Sequence, residues 1–142
     1  MIAFKHSALL HAPVGKVFGI VADPARIPEW RKDVPRVSGM SGPVMAGTTF
    51  YEDVHFMGSK RLLMMIVELV PNERLVIEAQ SGMPLLPVQT FTFVPEDGGT
   101  RLTVSVLMKS SGFLTMMEFM LPAQLKKMWE RNLAELELLL AA

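Results

Sequence analysis

Apolar and polar positions alternate from the first residues onward. Over 3–10, Phe4, His6, Ala8 and Leu10 share one side and Lys5 and Ser7 the other, the period of a strand with one covered face. Ala12-Pro13 then starts a helix, because proline is pre-set for a first helical turn. Val14, Val17, Phe18 and Val21 follow at helical spacing and predict a short amphipathic helix ending near Asp23-Pro24. A second short helix is expected over 25–32, anchored by Trp30 and stopped by Pro35.

Beyond Gly47 the period returns to two. The segments 48–56, 60–70, 74–80, 88–94 and 100–109 are rich in β-branched, aromatic and long apolar residues and are separated by turn signals. Met57-Gly58-Ser59, Pro71-Asn72-Glu73 and Pro95-Glu96-Asp97-Gly98-Gly99 are three of those turns. Hairpins in series imply an antiparallel meander, since parallel neighbours need long crossovers. After Ser110-Ser111-Gly112 the pattern becomes helical to the end, with a break expected at Pro122. The final helix carries a stripe of Leu125, Met128, Trp129, Leu133, Leu136, Leu139 and Leu140, with charged residues opposite. Only this helix is long enough to cover the sheet, so the expected class is α+β, in one domain over 1–142.

Composition narrows the chemistry. The absence of cysteine removes disulfides, thiolate metal sites and thiol nucleophiles, and suits a reducing cytoplasm. Lys plus Arg equals Asp plus Glu at 14 each, which gives no electrostatic reason to expect a nucleic-acid partner. No apolar run reaches the ~18 residues of a membrane span, and the first residues lack the features of a secretory signal. Twelve methionines in 142 residues is a heavy load of flexible side chains that adapt to apolar shapes.

The ordered set of short motifs resembles the START-related helix-grip superfamily (SRPBCC), in its polyketide cyclase/dehydrase and lipid-transport branch. The resemblance rests on Ala12-Pro13 with Val17-Phe18, Asp23, Pro28-Glu29-Trp30, Gly47-Thr48, Val70 through Leu75, and Gly99-Thr100-Arg101-Leu102. It spans essentially the whole chain. It implies a helix-grip fold: a bent antiparallel sheet of about seven strands around a long C-terminal helix, with two short helices after the first strand. It also implies an internal apolar cavity and a lipid, polyketide, sterol or hormone-like ligand, but no single reaction.

Among polar residues, His6, His11 and His55 have no metal-ligand spacing, so no metal and no cofactor are expected. Gly98-Gly99 lies between strands and reads as a hairpin, not a phosphate loop. Glu52 shares the parity of Phe50 and Val54 and is expected to face inward. A carboxyl there would have a raised pKa suited to acid–base work, or else pair with Arg61 or lie exposed at a strand end. Glu52 and His6 are therefore the catalytic candidates, while Tyr51 and His55 fall on the outer face. Asn132 sits on the helix stripe, where a ligand hydroxyl or carbonyl, or water at the stripe's edge, would meet its amide.

The expected ligand-binding residues are Phe50, Val54, Met65, Phe91, Phe93, Val104, Met128 and Asn132, with Leu62, Met64 and Ile66 as the other parity of their strand. Met83, Leu85, Leu86, Phe113, Met117 and Met120 are expected at the cavity entrance, as an apolar gate or as a contact to a membrane, a protein or a second copy. The leading expectation is a cytoplasmic binder or carrier of a hydrophobic small molecule. A cyclase/dehydratase-like enzyme and a protein-interaction module are the alternatives.

Overall fold

The computed structural model describes residues 2–56, 58–108 and 115–142, with side chains of the last stretch from Leu121 onward. Seven strands form one antiparallel sheet: β1 (Ile2–Leu10), β2 (Arg36–Ser38), β3 (Thr49–His55), β4 (Ser59–Val70), β5 (Arg74–Ser81), β6 (Pro87–Glu96) and β7 (Gly99–Met108). Helices α1 (Val14–Val21) and α2 (Ile27–Trp30) follow β1, and α3 (Thr115–Ala141) closes the described chain. The spatial order β1-β7-β6-β5-β4-β3-β2 is a meander in which only β1 joins out of sequence, beside β7. This is the α+β helix-grip arrangement that the pattern and the resemblance imply.

Local chemistry sets the turns. Asp97 and Gly98 both hold positive φ between β6 and β7, the pairing that a tight hairpin requires. Gly82, at φ +119°, brings its backbone so close to Arg61 that a Cβ would collide with the Arg61 carbonyl. Register shifts between Leu63 and Met64 and between Ile66 and Glu68 interrupt the β4–β5 ladder, and such irregularities bend a sheet.

The covered face carries the core. Leu62, Met64 and Ile66 of β4 are buried while Met65 is not, which settles the parity of that strand against Met65. Leu125, Trp129, Leu133, Leu136 and Leu140 of α3 are buried against the sheet. Trp30, Phe91 and Trp129 meet with ring centroids 5.8–6.5 Å apart and tie α2, β6 and α3 together. The C-terminal turn of α3 is held by Lys16, whose Nζ donates to the Leu140 carbonyl at 2.7 Å, and by Glu137, which accepts from the His11 backbone N–H at 3.0 Å.

Two expectations change. Helix α3 runs through Pro122 instead of breaking there. One lost donor and the ring's clash cost about 3 kcal/mol, and burial of Leu121 and Leu125 on either side offsets it at roughly 1.5–3 kcal/mol each. The expected helix over 25–32 is a 3-10 turn (Pro24–Arg26) followed by the four-residue α2, which ends at an extended Arg31 and a turn at Lys32-Asp33. The short edge strand β2 went unread because three residues carry no period.

Candidate functional site

The segment after α2 turns at Lys32-Asp33, closed by the Val34 N–H donating to the Arg31 carbonyl at 3.2 Å, and this turn brings the Arg31 and Asp33 side chains together. Both are buried. Arg31 donates to Asp33 through Nη2 at 2.7 Å and Nε at 3.4 Å, and to the Gln89 amide oxygen through Nη1 at 3.3 Å. Its guanidinium also lies 4.7 Å from the centre of the Trp129 ring, a cation–π contact in a dry setting.

Asn132 completes the cluster from α3. Its Nδ2 donates to Asp33 at 2.9 Å and its Oδ1 accepts from the Lys32 backbone N–H at 3.0 Å. The amide that seemed free for a ligand, or for water at the stripe's edge, is instead fully buried and fixes the 31–33 segment to the helix.

Glu52 does face inward, and its side chain is 1% exposed. Its Oε2 lies 3.6 Å from Arg31 Nη1, an electrostatic contact too long for a hydrogen bond. Among the described residues neither carboxyl oxygen has a hydrogen-bond partner. Arg61, the expected partner, pairs with Asp53 on the outer face at 2.8 Å. The error is one of parity, since Arg61 points outward like Asp53.

These groups titrate differently. Burial pushes the Glu52 carboxyl above its ordinary value, and nearby Asp33 adds to this, while Arg31 only partly opposes them. Burial would raise Asp33 as well, but the charge of Arg31 and hydrogen bonds from Arg31 and Asn132 outweigh it and hold Asp33 below the ordinary range. Arg31, despite complete burial, is held above its ordinary value by the charges of Asp33 and Glu52. The cluster is therefore an Arg31–Asp33 ion pair beside a carboxyl whose charged form is disfavoured by burial.

A cavity of about 40 Å³ opens beside it. Its polar wall is Arg31, Asp33, Glu52 and Gln89, and Lys60 lies along the rim of β4. Its apolar wall includes Val54 and Phe56, Leu62, Val106 and Met108, and Leu125, Met128 and Trp129 of α3. Met83 lines it from the β5–β6 connection.

Of the expected ligand-binding residues, Val54 and Met128 line this cavity. Phe50, Phe91, Phe93 and Val104 are buried but belong to the packed core; Phe93 sits edge-on to Phe18 at 5.1 Å, and Phe91 meets the tryptophans. Met65 lies on the other side of the sheet from Met64. Of the expected entrance, Met83 is at the cavity. Leu85 is buried in the core, and Leu86 borders a separate depression with Glu78, Val88 and Leu107. Phe113 and the side chains of Met117 and Met120 lie outside the described residues. His6 stacks on Phe4 at 6.4 Å on the inner side of β1 and does not line the cavity. Among the described residues no cluster of His, Cys, Asp or Glu could hold a metal.

The sequence reading missed Arg31, Asp33 and Gln89. Gln89 was legible, since it shares the parity of Phe91 and Phe93. Arg31 and Asp33 sit in Arg31-Lys32-Asp33, which reads as a solvated helix end.

The family model for polyketide cyclase/dehydrase and lipid transport matches residues 1–140. The chain belongs to that family. No curated protein matches the sequence. Among solved structures, protein TTHA0849 from Thermus thermophilus superposes with a TM-score of 0.80 at 19% identity, covering 95% of this chain and 94% of that one. Protein CV1439 from Chromobacterium violaceum gives 0.74 at 18% identity, covering 99% and 97%. The di-domain ARO/CYC StfQ from the steffimycin biosynthetic pathway gives 0.80 at 15% identity, with 96% of this chain on 49% of that one. At such identities the likeness concerns the fold. Among the described residues no helix is long and apolar enough to cross a membrane.

Proposed function

We propose that the protein binds a hydrophobic small molecule, of the lipid, isoprenoid or polyketide kind, between its sheet and α3. The observation that carries this reading is the cavity itself: an apolar enclosure with a buried polar cluster along one wall. Small-molecule sites have this make-up, with few polar groups that orient a mostly apolar ligand. Family membership supports the same class of ligand. At about 40 Å³ the resting cavity holds a few waters, well short of the ~300–1,000 Å³ typical of ligand sites. A ligand therefore enters by displacing side chains, and Met83 and Met128, both half-buried in the wall, are the flexible ones.

Native mass spectrometry of the purified protein, followed by organic extraction, tests the reading. A stoichiometric lipid, quinone or polyketide is the expected result. A protein that is empty and also ignores a broad panel of apolar compounds would overturn it.

One observation favours a second reading, a cyclase- or dehydratase-like enzyme. Glu52 is a buried carboxyl with a raised pKa beside a cationic Arg31, a combination suited to moving a proton. Turnover of an extracted ligand that collapses in Glu52→Gln, with ligand binding retained, would select this reading over simple carriage.

A further inference from the structure

Glu52 presents a specific chemical problem. A carboxyl that is 1% exposed normally finds donors, yet both of its oxygens lack a hydrogen-bond partner among the described residues while the side chain lines the cavity. Asp33, at comparable burial, is saturated by Arg31 and Asn132. The donors of Arg31 are drawn to Asp33 and Gln89, which leaves Glu52 only a contact at 3.6 Å. The one polar group on this wall with both acceptors unused, among the described residues, is thus turned toward the space where a ligand would sit.

The surroundings define what would satisfy it. The groups facing Glu52 are Arg31 and Asp33 from the segment after α2, Gln89 from β6 and Trp129 from α3, with Lys60 at the rim from β4. The Arg31 and Asp33 charges offset each other there, so a ligand carboxylate placed against Glu52 would find no uncommitted guanidinium and would add like charge whenever Glu52 ionises. A neutral hydroxyl has the donor that Glu52 lacks.

We propose that Glu52 is the specificity-determining residue of the cavity, accepting a hydrogen bond from the hydroxyl of a neutral, apolar alcohol or phenol. The hydrocarbon of that ligand lies along Val54, Leu62, Val106 and Met128. This rests on the cavity-binding reading above and adds to it the polar feature that the ligand carries.

The test uses toluene, phenol and benzoate as matched probes of the intact protein, read by amide chemical shifts of the cavity residues and by the joint fluorescence of Trp129 and the adjoining Trp30. In the wild type, the ratio of phenol to toluene affinity should exceed that in Glu52→Leu by about tenfold or more, as expected for a hydrogen bond to a charged or acidic group. The ratio should also rise as the pH is raised above the ordinary Glu value of 4.5, at pH values kept below the phenol pKa of about 10. Toluene dries Glu52 further and requires its protonated form, so its affinity falls on raising the pH, whereas phenol donates to the carboxylate and keeps its affinity. In Glu52→Gln, whose amide oxygen still accepts, a preference for phenol should survive but its pH dependence should vanish.

Equal phenol-to-toluene ratios in wild type and Glu52→Leu would overturn the assignment while leaving cavity binding intact. So would benzoate binding more tightly than phenol, which would place an anionic head at Lys60 or at the neighbouring basic surface of Lys32, Lys127 and Arg131. If no probe perturbs the cavity residues, the cavity-binding reading fails and this inference falls with it.

Discussion

Replacing Asp33 with Asn keeps the shape of the side chain and removes its charge. In the native fold Asp33 accepts from Arg31 at 2.7 and 3.4 Å and from Asn132 at 2.9 Å, so the substitution strips Arg31 of its closest counter-charge where the guanidinium side chain is only 4% exposed. Breaking a buried ion pair from one side costs roughly 3–5 kcal/mol, because the other charge is left uncompensated. Here Glu52 stays 3.6 Å from Arg31 and can ionise to take over part of the role, which places the loss at the low end, about 3 kcal/mol. For a chain of this size that corresponds to a fall in Tm of about 10 °C.

The assay is urea unfolding followed by far-UV circular dichroism, repeated across pH. Asp33 is held below its ordinary value of 3.8, so its contribution is present above that value and is lost as the pH falls through the lower native pKa. The gap between wild type and Asp33→Asn should therefore be full near neutrality and close on acidification. A loss under about 1 kcal/mol at neutral pH, or a gap that persists at the acid end, would refute the paired-charge account of this cluster.

Glu52→Gln should act in the opposite direction. With a native pKa above the ordinary 4.5, Glu52 binds its proton more tightly folded than unfolded, so it penalises the fold increasingly as pH rises from that value toward the native pKa. The variant should match the wild type near pH 4 and become the more stable of the two above it, in the same urea titration; equal stability at every pH would contradict the raised pKa. Asn132→Ala removes a donor to Asp33 and the acceptor for the Lys32 N–H, and should cost about 1–3 kcal/mol. Hydrogen exchange should accelerate at Lys32 and its neighbours in that variant; unchanged protection there would show that Asn132 does not hold the segment.

The network at the cavity wall consists of two kinds of polar group. Arg31, Asp33, Gln89 and Asn132 satisfy one another and hold the segment after α2 against the sheet and α3. Glu52 is the exception. Partly satisfied buried networks are costly in the empty state, which makes them suited to recognising a ligand that completes them.

The sequence by itself determined the long elements and, through them, the α+β class, but not the short β2 or the form of the 25–32 segment. Period-two stretches separated by Asp97-Gly98 and Asn72 turns leave few pairings other than a meander, and the stripe from Leu125 to Leu140 specifies the helix that covers it. These are local regularities, set by backbone geometry and by the need to bury one face, so a linear reading finds them. Strand parity also pointed Glu52 inward, but it left open an ion pair with Arg61 or exposure at a strand end, which the structure does not show. Only the tertiary structure decided which buried groups meet. Arg31 and Asp33 lie 58 and 99 positions from Gln89 and Asn132, and no periodicity links an irregular segment to a strand and a helix so distant in sequence. The same contacts separated the packed core, with Phe50, Phe91, Phe93 and Val104, from the cavity wall. Both sets are apolar and inward-facing along the chain, and they differ only in what the opposite face places against them.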